Sequence, residues 1–283
     1  AYVVGEFGQD VENMLLAVAE GQGAKGSIHY QDKPLGTAHA VLCAAEHLEG
    51  PVVVAFADTL FRADFKLDQS ADGVIWVNRV EDPRAFGVVK LGEDGRITDF
   101  IEKPQEFVSD LAIIGIYYFK DGARLRKELQ YLIDNDIKGG GEYQLTNALQ
   151  SMTDDGLRFV PGRVDAWMDC GNKDVTVETN GRILEYVQHQ EQLVSPDALV
   201  ENSQIIPPCF IGPGARIINS TVGPHVSIGA RSTLTDSVLA DCIVGEDSSL
   251  TRITLRNSMI GRHAVLDGQF VSLSLGDYSR LEG

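Results

Sequence analysis

Basic residues are scarce in this sequence: 24 Lys and Arg stand against 41 Asp and Glu, a formal charge of −17 over 283 residues. No basic cluster and no stripe of interleaved aromatic and basic residues occurs, which excludes a surface that tracks nucleic-acid phosphates. A chain this acidic that handles phosphate must do so locally, through a few placed cations or a divalent metal. Cysteine is scarce too. Cys43, Cys170, Cys209 and Cys242 lie far apart with no paired spacing, which suits free thiols in a reducing compartment, the cytoplasm, better than a disulfide framework or a zinc site built on cysteines. Long hydrophobic runs are absent, and no signal-like segment opens the chain, so no membrane partner is expected. What remains is ordinary for folded domains, 43% hydrophobic and 23% charged, with length enough for two cores.

Up to about residue 194 strand-like and helix-like stretches alternate. Asp10 is placed to cap a helix running to Glu20, residues 27–30 form a short strand, and a helical spacing opens at Ala38. The run PVVVAFAD (51–58) has the pattern of a strand buried on both faces and ends in an acid. Further strands are expected at 73–80, at 86–104 as a pair around a Gly-Glu-Asp-Gly turn, and at 111–119, with helices at 122–135, 143–154 and 173–192, giving an α/β layer arrangement. After Ser195-Pro196 the grammar changes. Aliphatic residues recur at six-residue steps (Ile205, Ile211, Ile217; Val222, Ile228, Leu234; Val238, Val244, Leu250; Thr254, Ile260, Leu266), often followed by Gly. This predicts a solenoid of about five coils over 195–283 in which one side chain points inward and a corner follows.

Several residues are candidates for chemistry. Gly36-Thr37, in QDKPLGTAHAV (31–41), stands at a strand-to-helix junction, where free backbone N–H groups, a close approach at Gly36 and the Thr37 hydroxyl suit an anion or a planar base, or simply a capped helix start. Asp58 and Asp169 (in WMDCGN, 167–172) are carboxylates at loop mouths, which suits Mg²⁺, a hard cation that takes few protein ligands, although each alone also reads as a turn former. Glu102-Lys103-Pro104 sets an anion beside a cation, for a sugar hydroxyl and a phosphate or as a solvated pair. Gly87 in AFGVV permits close approach or marks a bulge.

In order, Gln31 with PLGTAHAV, AFAD ending in Asp58, AFGVV, IEKP, IIGIYYF, GEYQLTNAL and WMDCGN resemble the motifs of the sugar-1-phosphate nucleotidyltransferases. Within that family the chain is similar to glucose-1-phosphate thymidylyltransferases that carry a hexapeptide-repeat tail, and LGTAHAV is also similar to N-acetylglucosamine-1-phosphate uridyltransferases. The resemblance implies a Rossmann-like nucleotidyltransferase sheet over 1–194, followed by a left-handed parallel β-helix. It implies that Gln31 reads a pyrimidine edge and that Gly36 and Thr37 receive base and ribose. Asp58 and Asp169 would hold Mg²⁺ against the α-phosphate, Gly87 and Glu102 would grip the hexose, and Lys103 would steer the sugar phosphate. The expected substrates are dTTP or UTP and a sugar 1-phosphate, glucose 1-phosphate first.

The chain also departs from the family. Members open with a Gly-rich loop containing Arg and, later, Lys-Pro; here the sequence begins at AYVVGEFGQD, so the first strand, its loop and helix are expected to be missing by truncation, with little activity of this chain and with Val3-Val4 exposed by the missing strand. Asp110 stands where relatives often carry Asn. Leu239, Ile253, Leu255 and Met259 fall off the six-step register and are expected to face outward, supporting a homo-oligomer through the tail. Two alternatives remain: a protein that has lost catalysis, and a hexapeptide acyltransferase using His225 or His263.

Overall fold

The computed structural model describes residues 1–63, 67, 70–269 and 272–282, and the chain divides into two compact units, Ala1–Trp167 and Met168–Gly283. In the first, β1 (Tyr2–Val4) and β2 (Ile28–Tyr30) form a small parallel pair joined by α1 (Gln9–Gly21). Val3 and Val4 are half-buried rather than exposed. After α2 (Thr37–Leu42) come β3 (Val52–Ala55), β4 (Thr59–Arg62) and the long strands of the main sheet: β5 (Gly73–Arg79), β6 (Gly87–Leu91), β7 (Ile97–Glu102) and β8 (Leu111–Phe119). Then follow α3 (Gly122–Asp134), α4 (Leu145–Asp154) and β9 (Phe159–Arg163).

The sheet is mixed, in the order β7-β6-β8-β5-β9, with β3 added to β8. Among the described residues only β5–β9 of this sheet is parallel; β8 is antiparallel to β3, β5 and β6. The continuous apolar runs in β5 and β8 are buried on both faces. Ile75, Val77, Tyr117 and Phe119 pack with Leu125, Leu129, Leu145 and Leu149 of the helices, whereas Val74, Trp76, Ile114 and Ile116 face Phe61 and Trp167. The run 51–58 does not follow this expectation. In β3 burial alternates, with Val53 59% exposed, and the strand stops at Ala55, so Asp58 lies in the turn before β4 rather than at a strand end. The physical reason is position: among the described residues β3 pairs on one side only, so an apolar run there marks an edge.

The second unit is a parallel β-solenoid preceded by α5 (Lys173–Val187). Ile211, Ile228, Val244, Ile260 and Leu275 stack rung on rung, as do Ile217, Leu234, Leu250, Leu266 and Leu281. The third column is where the six-step count slips. Seventeen residues separate Val222 from its rung partner Leu239, and sixteen separate Leu239 from Leu255. Five-residue steps therefore bring Leu239 and Leu255 inward, at 0% and 2% exposure, and leave Val238 and Thr254 outside. Ile253 is buried as well and Met259 half-buried, so the outward apolar face expected from these four residues does not form and the homo-oligomer loses that support.

The glycines after the inward residues also have a different role from the one expected. A Cβ on Gly229 would lie 2.4 Å from the Glu246 nitrogen of the next coil, and one on Gly245 would lie 2.7 Å from the Arg262 nitrogen. They are required by close stacking. The left-handed corner falls two residues later, at Gly214, Arg231, Asp247, His263 and Tyr278. Serine binds the coils together: the Ser220 nitrogen donates to Ser203 Oγ, that of Ser237 to Ser220 Oγ, and that of Ile253 to Ser237 Oγ. The second compact unit takes in α5, which rests on the solenoid. A Cβ on Gly181 would lie 3.2 Å from the His225 ring, and Asn180 bonds Ser227 Oγ and the His225 carbonyl.

Candidate functional site

The loop between β2 and α2 is built around Gly36. Its φ of +114 lies in the region that L side chains avoid, and a Cβ would lie 2.5 Å from the Tyr143 carbonyl oxygen. The Tyr143 nitrogen donates to the Leu35 carbonyl and Ala38 donates to that of Tyr143, so the loop is stitched to the segment ahead of α4. The space that glycine opens is filled on that side by the protein's own backbone. Thr37 has the same destination: its Oγ1 accepts from the Leu145 nitrogen at 2.9 Å and donates to Gln144 Oε1 at 3.2 Å, capping α4 from across the chain. Gln31 is held differently. Its Nε2 lies 3.1 Å from the Gly36 carbonyl and 3.0 Å from His39 Nδ1. A carbonyl only accepts, which fixes the amide's orientation, and among the described residues no hydrogen bond engages Oε1.

A second group gathers where β6, β7 and α4 meet. Gly87 pairs with Glu102 across the ladder, and a Cβ there would lie 3.1 Å from Glu102 Oε2 and 3.1 Å from Thr146 Cγ2. Thr146 donates to Glu102 Oε2 at 3.0 Å, and Lys103 Nζ lies 4.0 Å from Glu102 Oε1. Lys103 is held at φ +42 directly before Pro104, a combination that costs backbone energy, while its side chain stays 59% exposed. Glu102 also lines a 310 Å³ cleft with Phe100, Thr146, Asn147 and Gln150. Beneath lies Tyr117, whose hydroxyl is held well above the ordinary phenol range, first by burial and then by the negative charges of Glu102 and Asp58. That electrostatic reach ties Asp58 to the same region. Its carboxylate is exposed, and no hydrogen bond or ion pair among the described residues neutralises it.

Asp169 belongs to the second unit, at the end of the short strand Ala166–Asp169. Its Oδ1 accepts from the Gly171 nitrogen and its carbonyl from Thr179 Oγ1, leaving Oδ2 without a hydrogen bond among the described residues. The two solenoid histidines are both engaged at corners. His225 sits between Glu185 (3.1 Å) and Asp241 (3.2 Å), and His263 stacks on Tyr278. Asp110 forms an ion pair with Arg79, which gives the acid at this position a local partner. Sequence reasoning missed His39, Tyr117 and Thr146. Thr146 lies inside GEYQLTNAL, where the helix-start reading left no reason to single out its hydroxyl; Tyr117 is hidden in a continuous apolar strand.

Comparison with known proteins gives the class. The family model described as nucleotidyl transferase matches residues 8–185, more than half of the chain, and the chain belongs to that family. It is similar to the glucose-1-phosphate thymidylyltransferase of Streptomyces antibioticus, 31% identical over 93% of this chain and 82% of the relative. It is also similar to that of Streptomyces griseus, 30% identical over 97% of this chain and 84% of the relative. Among solved structures, the nucleoside-diphosphate-sugar pyrophosphorylase from Vibrio cholerae RC9 shares the fold, with a TM-score of 0.54 at 18% identity over 62% of this chain and 78% of that one.

Proposed function

We propose that this protein is a Mg²⁺-dependent sugar-1-phosphate nucleotidyltransferase that joins dTTP or UTP to a sugar 1-phosphate, glucose 1-phosphate first, releasing pyrophosphate. The family and the two similar thymidylyltransferases support the reaction class. The observation that bears on the base is Gln31. With both amide hydrogens directed at Gly36 and His39, only the Oε1 acceptor remains to meet a base donor, such as the N3–H of thymine or uracil; guanine and adenine also present N–H donors, so the preference for a pyrimidine rests on the similarity to the two thymidylyltransferases.

Asp58 and Asp169 fit a hard cation: each keeps a carboxylate oxygen without a protein donor, and an all-oxygen set is what Mg²⁺ takes. When bound, the ion would neutralise charge on the α-phosphate. Glu102, positioned by Thr146, would accept from a hexose hydroxyl in the room that Gly87 leaves, while the exposed Lys103 ammonium would draw in the sugar phosphate. A sugar-phosphate oxygen then attacks the α-phosphorus in line as the bond to the pyrophosphate oxygen breaks. No covalent enzyme nucleophile is needed; positioning and charge neutralisation suffice. The test is pyrophosphate release by the full-length protein across four nucleoside triphosphates and several sugar 1-phosphates, with and without chelator. Preference for GTP or ATP overturns the base assignment, and no turnover with any pair overturns the reaction.

A further inference from the structure

Away from these residues, side chains able to hold a transition metal converge between β2 and the short turn after α2. His29 lies in β2, and Glu46 and His47 form the 3-10 turn Ala45–His47, which the buried Ala44 and Leu48 anchor from both sides. The two imidazoles meet edge to face with centroids 4.9 Å apart, and the Nε2 of each lies 3.0 Å from Ser27 Oγ. Glu46 Oε1 lies 3.6 Å from His47 Nε2, and one ligand atom from each of the three residues falls within 4.8 Å of the others.

Hydrogen bonding around Ser27 uses one nitrogen of each ring: the hydroxyl has one proton, donates it to one Nε2 and accepts from the Nε2–H of the other ring. Two imidazole nitrogens and a carboxylate oxygen are a donor set used by three-ligand zinc sites with an open fourth position. Tetrahedral zinc with bonds of about 2.0–2.1 Å has ligand edges of roughly 3.3–3.4 Å. The Glu46–His47 edge is nearly there, and rotation of these two exposed side chains supplies the rest.

We propose that His29, Glu46 and His47 form a zinc site, with the Ser27 hydroxyl or water at the fourth position. It differs in chemistry from an all-oxygen magnesium site, because imidazole selects borderline metals that Mg²⁺ does not displace. Its location gives it a consequence. His29 stands two residues before Gln31, and Glu46 follows α2, so a bound ion ties together both ends of the segment carrying Gln31, Gly36 and Thr37 and restricts its freedom. The site stands on its own geometry and is independent of the reaction proposed above.

The test is Zn²⁺ titration of the whole protein by calorimetry in excess Mg²⁺, with Co²⁺ absorption as the reporter of tetrahedral nitrogen and oxygen ligation. One Zn²⁺ per chain is expected. His29→Ala and His47→Ala should each weaken binding by about a hundredfold or more and Glu46→Gln by about tenfold, while His189→Ala, an exposed histidine elsewhere, should change nothing. Glu46 and His47 are exposed, so their variants should melt with the wild type in chelator. No binding tighter than about 100 μM, or equal binding by wild type and His47→Ala, overturns the proposal.

Discussion

Replacing Thr37 by Val separates two roles that the sequence leaves open for one hydroxyl. Valine keeps the branched shape and removes the oxygen that accepts from the Leu145 nitrogen and donates to Gln144. Leu145 opens α4, and Gln144 at the cap position makes no side-chain cap of its own. Both are buried, at 1% and 6% exposure, so water does not replace the lost partner. Loss of a cap costs about 1 kcal/mol and a buried orphaned donor about 1–3 kcal/mol; as both describe the same N–H, the total is about 2 kcal/mol. At roughly 2–4 °C per kcal/mol for a unit of this size, the melting temperature should fall by about 4–8 °C with no nucleotide present. Thr37→Ser keeps the oxygen and should recover most of it. Thermal melts followed by circular dichroism decide. If Thr37→Val melts with the wild type while nucleotide affinity collapses, the hydroxyl serves the ligand and the capping argument is refuted.

Four further outcomes are expected. Gly229→Ala pushes a Cβ to within 2.4 Å of the next coil's backbone and should destabilise the solenoid by about 1–3 kcal/mol, whereas Gly276→Ala, with nothing within 4 Å, should be neutral in the same denaturant titration. Glu102→Gln keeps the Thr146 hydrogen bond but removes the charge beside Lys103; KM for the sugar phosphate should rise about tenfold with an unchanged melting temperature. Gly87→Ala crowds Glu102 and Thr146 and should lower kcat/KM far more than it lowers the unfolding midpoint. Burial pushes the Cys242 thiol up to about 11. The unfolded chain therefore ionises first, so this thiol's contribution to stability should be constant below pH about 8.5 and be lost as pH rises from there toward 11, and the alkaline fall should be smaller in Cys242→Ala.

The alternation of strands and helices was legible because β5, β7, β8, α3 and α4 carry strong periodic patterns bounded by turn residues. What escaped depends on neighbours that a local pattern does not contain. The run 51–58 looks like a central strand, and only the pairing partners of β3 reveal an edge. Counting six residues per face places Val238 inward; a five-residue step brings in Leu239, and nothing but the coil below fixes that register. The site divides in the same way. The adjacency of Glu102 and Lys103 was legible directly, whereas the pairing of Gly87 with Glu102 depends on the β6–β7 register. The capping use of Thr37 was not legible, since its partner lies more than a hundred positions away.

The serine ladder has a direction. Each hydroxyl donates back to a carbonyl of its own coil, Ser220 to Ile218 and Ser237 to Thr235, and accepts from the backbone nitrogen one coil further along the chain. A finished coil therefore displays an oriented lone pair that the backbone nitrogen of its successor meets, while its own Gln204 or Thr221 nitrogen donates forward to the successor's Ser220 or Ser237 carbonyl. Chains leave the ribosome amino end first. The order in which these coils are synthesised is the order in which each finds a serine oxygen of its predecessor already in place, and each new coil in turn brings the carbonyl that its predecessor's nitrogen needs.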